Sequence, residues 1–126
     1  MNNLKCRVWN EKIKRSYPYL SGMMYWEKIT QNQYLKKVFV ERKCPLMLFT
    51  GSKDIAGVDA YEEDIGILGQ YTCILKYSVL EGRFWWTDII SNQWITGRPS
   101  DARLIGNRYD NPELLMNAHK LINEEL

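Results

Sequence analysis

The sequence predicts a mainly β protein, α+β overall, that ends in one helix. Three observations carry this. Several runs of strand length alternate apolar with polar residues or are rich in β-branched and aromatic side chains. Gly, Asn and Asp punctuate those runs, as turns require. Only the last stretch, after Asn111-Pro112, repeats apolar residues at three-to-four spacing.

In chain order, Leu4 to Val8 alternates apolar and basic residues, as a half-buried strand should, with Trp9 following. Asn10-Glu11-Lys12 reads as a turn, and Ile13 to Tyr19 as a returning hairpin partner that ends near Pro18. Met23 to Trp26 is apolar and aromatic, of either type. Tyr34 to Val40 fits a short helix or a strand, and its β-branched and aromatic content favours strand. Leu46 to Thr50 is a buried strand, followed by a loop from Gly51 to Gly57. Tyr61 to Gly66 is a turn leading into a strand. Tyr71 to Tyr77 is a strong strand, joined through Glu81-Gly82 to a hairpin partner at Arg83 to Ile89. After a loop at Gly97–Ser100 comes a short strand, Ala102 to Tyr109, in which Gly106 marks a bulge or a close approach. Asn111 then serves as N-cap, Pro112 takes the first helical position, and Leu114, Leu115, Ala118, Leu121 and Ile122 form one apolar face.

The chain has 126 residues, 45% hydrophobic and 25% charged, enough apolar content for one folded domain and too short for a large multidomain enzyme. We expect a single domain over 1–126 with a divergent sub-region at 18–45. The formal net charge of +2 conceals a polarity. Residues 1–45 carry ten basic and three acidic side chains, a net +7, whereas residues 46–126 carry seven and twelve, a net −5. The two segments either neutralise each other, within a chain or between copies, or offer a basic surface to nucleic acid or an acidic partner. Cys6, Cys44 and Cys73 are odd in number and far apart, with no Cys-x-x-Cys, so reduced thiols are expected and a zinc site is disfavoured. The first residues lack a signal-peptide core, and no apolar run reaches the roughly 20 residues of a bilayer span. A cytoplasmic protein that does not engage a membrane is the expectation.

Three islands resemble one family. Leu4-Lys5-Cys6-Arg7-Val8-Trp9-Asn10 is similar to its opening motif. Phe49-Thr50-Gly51-Ser52-Lys53-Asp54, the turn around Gly57, and Asp59-Ala60-Tyr61-Glu62-Glu63-Asp64-Ile65 resemble its core. Leu104-Ile105-Gly106-Asn107-Arg108-Tyr109-Asp110-Asn111-Pro112-Glu113-Leu114-Leu115 is similar to its ending. In this order they resemble the YopX family of phage and prophage proteins. Ser52, Ala56, Glu63 and Gly66 depart from the pattern, Glu63 standing where the family has a Gly. If that Gly takes a positive φ, the turn at Glu63 is strained or different. The resemblance implies a small SH3-like bent β-barrel with additional strands and action inside a bacterial host cell. It implies structural roles for Trp9, Thr50, Gly51, Asp54, Gly57, Tyr61, Asp64, Ile65, Ile105, Gly106, Asn107, Tyr109, Asn111 and Pro112. It supplies no catalytic residues.

The acidic group Asp54, Asp59, Glu62, Glu63 and Asp64 is oxygen-rich but lacks the calcium-loop spacing. The expected role for Asp54 and Asp64 is to accept backbone hydrogen bonds that shut the loop. Thr50-Gly51-Ser52-Lys53 lacks the spacing of a phosphate loop. His119 has no motif-placed nucleophile. Trp85 and Trp86 must point to opposite faces of their strand, so at most one is core. The other is covered by a neighbouring loop or subunit, or else is a platform for a base or an anchor for a protein partner. Candidate surface residues are Arg83, Trp85, Trp86, Lys36, Lys37, Arg42 and Lys43. The expected function is a non-enzymatic phage accessory protein, without cofactor or metal, that associates with itself or with another phage or host protein. A single-strand nucleic-acid-binding module, using the basic first third with its interleaved Tyr17, Tyr19, Tyr25, Trp26 and Tyr34, is the alternative, and a small hydrolase the remote one.

Overall fold

Antiparallel pairing organises every sheet contact of the computed structural model, which describes residues 5–25 and 44–116. The protein is mainly β, as the alternation predicts. It divides into two compact units, one up to residue 49 and one from residue 50.

In the first unit, β1 (Cys6–Trp9) is buried along its whole length. It pairs on one side with β2 (Met23–Tyr25), Val8 opposite Met24, and on the other with the start of β3 (Leu46–Lys53), Cys6 opposite Leu48. Val8 and Met24 form the core, with Ile13 and Cys44 packed against it. The expected hairpin return from Ile13 to Tyr19 is a helix instead, α1 (Glu11–Ser16). Asn10 is the cause. Its side-chain oxygen accepts the Ile13 N–H at 3.2 Å, satisfying a donor that a nascent helix leaves free. Glu11 in the first turn and Lys14 and Arg15 in the last suit the helix dipole. β1 therefore finds its hairpin partner after the helix, in β2.

In the second unit, the rest of β3 neighbours β4 (Asp59–Tyr61). β3 runs on to Lys53, so the expected loop from Gly51 is shorter and begins at Asp54. Five further strands form one sheet: β5 (Asp64–Leu68), β6 (Tyr71–Ser78), β7 (Arg83–Asp88), β8 (Trp94–Ile95) and β9 (Arg103–Asn107), in the order β8-β7-β6-β5-β9. A 3₁₀ turn at Pro99–Asp101 precedes β9. Cys73, Leu75 and Trp86 from one face pack with Ala60 and Ala102, and Leu68, Phe84, Ile95 and Leu104 surround them. Trp86 is wholly buried and donates its indole N–H to the Arg98 carbonyl at 3.0 Å. Beside it, a Cβ on Gly66 would come within 2.9 Å of the Trp86 ring, which explains Gly where the family resemblance expects Val.

Between β5 and β9 the register slips. Ile65 faces Gly106 but Gly66 faces Leu104, so Ile105 is the extra residue of a bulge. Residues 112–116 are helical, beginning at Pro112 as expected. Asn111 departs from its expected capping role. Its side-chain oxygen reaches back to accept the Asn107 N–H at 3.1 Å. The rest of the expected terminal helix, with His119, and the segment containing Tyr34 to Val40, lie outside the described residues.

Candidate functional site

The motif residues assemble into turn scaffolding. Asp54 is buried, and its Oδ1 accepts the Ala56 and Val58 N–H groups at 2.9 and 2.8 Å. Its Oδ2 accepts the Leu104 N–H at 2.9 Å. Asp64, also buried, accepts the Tyr61 N–H at 2.8 Å. These are the loop-closing bonds expected from the sequence. Asn107 Oδ1 accepts the N–H groups of Tyr109 and Asp110 at 3.0 and 2.9 Å, which folds the turn that brings Asn111 back onto Asn107. Gly106 is the close approach: a Cβ there would collide with the Asn111 side chain. Trp9 is buried and donates its indole N–H to Glu11 at 2.7 Å.

Glu63 stands at φ 70°, in the left-handed region that favours Gly. Its carboxylate meets Lys76 Nζ at 2.7 Å and Arg108 at 3.4 Å. Thr50 to Lys53 belongs to β3, and Lys53 pairs with Asp59 at 2.9 Å. No group of His, Cys, Asp and Glu suited to a metal occurs among the described residues.

The two tryptophans of β7 part as strand alternation requires. Trp86 enters the core, so it leaves the set of candidate surface residues. Trp85, on the other face, lies between two neighbours. The ring of Trp94 on β8 stacks on it at 4.6 Å between centroids, 15° from parallel. The Arg83 guanidinium lies 3.7 Å from its ring centroid. The register explains the stack: Trp94 is opposite Thr87, two residues from Trp85 on the same face, and Arg83 is two residues the other way. Trp94 is 56% exposed. Among the described residues Arg83 forms no ion pair, whereas Lys76, opposite Trp85, is held by Glu63. The Trp85 indole N–H is enclosed and meets no acceptor among the described residues. The sequence singled out Arg83 and Trp85 but missed Trp94, whose signal was an aromatic residue a hairpin's length beyond Trp85. Lys36, Lys37, Arg42 and Lys43 lie outside the described residues.

The β6–β7 turn carries Val79 and Leu80 at 85% and 96% exposure. It is stiffened by the Gly82 N–H to the Ser78 carbonyl at 2.8 Å and by the Glu81 N–H to Ser78 Oγ at 3.2 Å. Of the thiols, Cys6 and Cys73 are buried and Cys44 is half-buried. Burial and the nearby Asp88 push the Cys73 thiol up to about 11, far from a nucleophile's range. No helix among the described residues is long and apolar enough to cross a membrane.

A family model described as "YopX protein" matches residues 5–116. Among solved structures, the crystal structure of protein EF1440 from Enterococcus faecalis is similar at 33% identity and a TM-score of 0.42. The match spans 57% of this chain and 56% of that one. No curated protein matches the chain at a significant level.

Proposed function

The chain belongs to the YopX family, whose model covers residues 5–116, and from that premise we propose a phage-type accessory protein that acts by self-association inside a bacterial host, without catalysis. The observation that carries this reading is the hairpin tip. Val79 and Leu80 are almost fully exposed at the end of a turn braced by Ser78. A stiff turn cannot fold these side chains back onto the sheet, so their apolar surface is relieved by burial against a second copy. The opposed charge of residues 1–45 and 46–126 supports association between copies in a head-to-tail sense.

Sedimentation velocity at low and high salt tests the reading. The wild type is expected to form an oligomer that the double substitution Val79→Ser, Leu80→Ser dissociates while the circular dichroism spectrum of the folded chain is unchanged. A wild-type protein that is strictly monomeric at both salt concentrations overturns it.

A further inference from the structure

We propose that the face carrying Arg83, Trp85 and Trp94 binds single-stranded nucleic acid, a base stacking on the open side of Trp94 and a backbone phosphate meeting Arg83. The proposal does not rest on self-association, because it uses the sheet face rather than the hairpin tip.

The stack has a fixed order. A ring has two faces, and those of Trp85 are taken by Trp94 at 4.6 Å and by Arg83 at 3.7 Å. Trp85 is therefore a spacer that holds its two neighbours in place. The free aromatic face belongs to Trp94, which sits on the edge strand β8 and is more than half exposed. Stacking on Trp85 holds one plane of the guanidinium against the indole. It leaves the N–H groups at the rim of the guanidinium for an anion. Among the described residues no carboxylate takes that place, although Lys76 on the neighbouring strand is neutralised by Glu63. The face thus offers one flat π surface and one unneutralised cation, separated by a single indole.

Each nucleotide of a single strand carries the matching pair, a base with a π face and a phosphate. A peptide offers both only where an aromatic residue and an acid happen to be neighbours, so the regular occupant is nucleic acid. A duplex buries its base faces in its own stack, so it cannot use Trp94. Nothing in the arrangement reads base edges, so stacking without strong sequence preference is expected.

The test is fluorescence anisotropy with a fluorescein-labelled oligo(dT) of about 20 nucleotides, and with a duplex of the same length, at several salt concentrations. The wild type is expected to bind the single strand in a salt-sensitive manner and the duplex more weakly. Trp94→Ala is expected to weaken single-strand binding about tenfold, and Trp94→Phe to restore most of it. Arg83→Gln is expected to weaken binding and to reduce the salt slope by about 0.7, the share of one phosphate. Circular dichroism spectra of all variants should match the wild type, and Trp94→Ala, which loses the stack on Trp85, should melt at a somewhat lower temperature while staying folded at the assay temperature. Absence of salt-sensitive binding at micromolar protein overturns the proposal. So does an affinity unchanged in Trp94→Ala, or a duplex bound as tightly as the single strand.

Discussion

Asp54 Oδ2 accepts the backbone N–H of Leu104 at 2.9 Å, across 50 residues of chain. The same carboxylate closes its own turn through Ala56 and Val58. One side chain thus ties the turn after β3 to strand β9. Asp54→Ala leaves three part-buried backbone donors without this acceptor and is expected to destabilise the protein by about 2 kcal/mol. Asp54→Asn, which keeps one acceptor oxygen, should cost less. Urea denaturation of both variants checks the order; equal and negligible effects would refute the tie.

The same carboxylate sets a pH dependence. Burial pushes the Asp54 carboxyl up, but the backbone N–H groups of Leu104, Val58, Ala56 and Gly57 outweigh burial and hold it below its ordinary value. A carboxyl lowered on folding contributes stability above its unfolded pKa of about 3.9 and loses it as pH falls through the folded value. The melting temperature is expected to fall more steeply below about pH 4 in the wild type than in Asp54→Asn. Parallel curves would show that Asp54 does not contribute.

Glu63, like Asn92, has a positive φ, and unlike Asn its side chain is poorly suited to it. At φ 70° it forfeits about 1 kcal/mol that Gly would not. Both Glu63→Ala and Glu63→Gly lose the contacts to Lys76 and Arg108, but only Gly relieves the backbone. Glu63→Gly is expected to be more stable than Glu63→Ala by about 1 kcal/mol in chemical denaturation. The reverse order would mean that the turn rearranges.

Gly66 and Trp86 are coupled by contact. Gly66→Ala places a Cβ against the Trp86 ring and close to the Arg103 carbonyl, and is expected to cost about 2 kcal/mol. In a Trp86→Phe background the smaller ring yields room, so the added cost should shrink. A double-mutant cycle on melting measures the coupling; additive losses would place the strain elsewhere.

The thiols offer a simple measurement. Cys6 and Cys73 are buried and both are pushed up from the ordinary thiol value, by burial in each case and for Cys73 also by Asp88. A disulfide-exchange reagent at pH 8 is expected to titrate fewer than three thiols in the native protein and all three in denaturant. Rapid reaction of all three without denaturant would contradict the burial.

Much of the second unit was legible in the sequence because its signals are local. The Glu81-Gly82 turn specifies its hairpin, and Asp54 and Asp64 accept from donors within a few residues. The opposite fates of Trp85 and Trp86 follow from the two-residue period of a strand. The helix at Glu11–Ser16 was also written locally, in the Asn10 cap, but a turn and a helix start share the same residue types.

Alternation alone determined that this chain is mainly β and that one of two adjacent tryptophans must face outward. It did not determine what that tryptophan meets. Strand pairing brought Trp94 onto Trp85, with Arg83 on the other side. Only the tertiary structure decided this, because cross-strand neighbours depend on register, and the register of β7 and β8 is set by the geometry of the turn between them rather than by the alternation within either strand. The reach of Asp54 to Leu104 and the room that Gly66 leaves for Trp86 were decided in the same way, by packing between strands that no local pattern encodes.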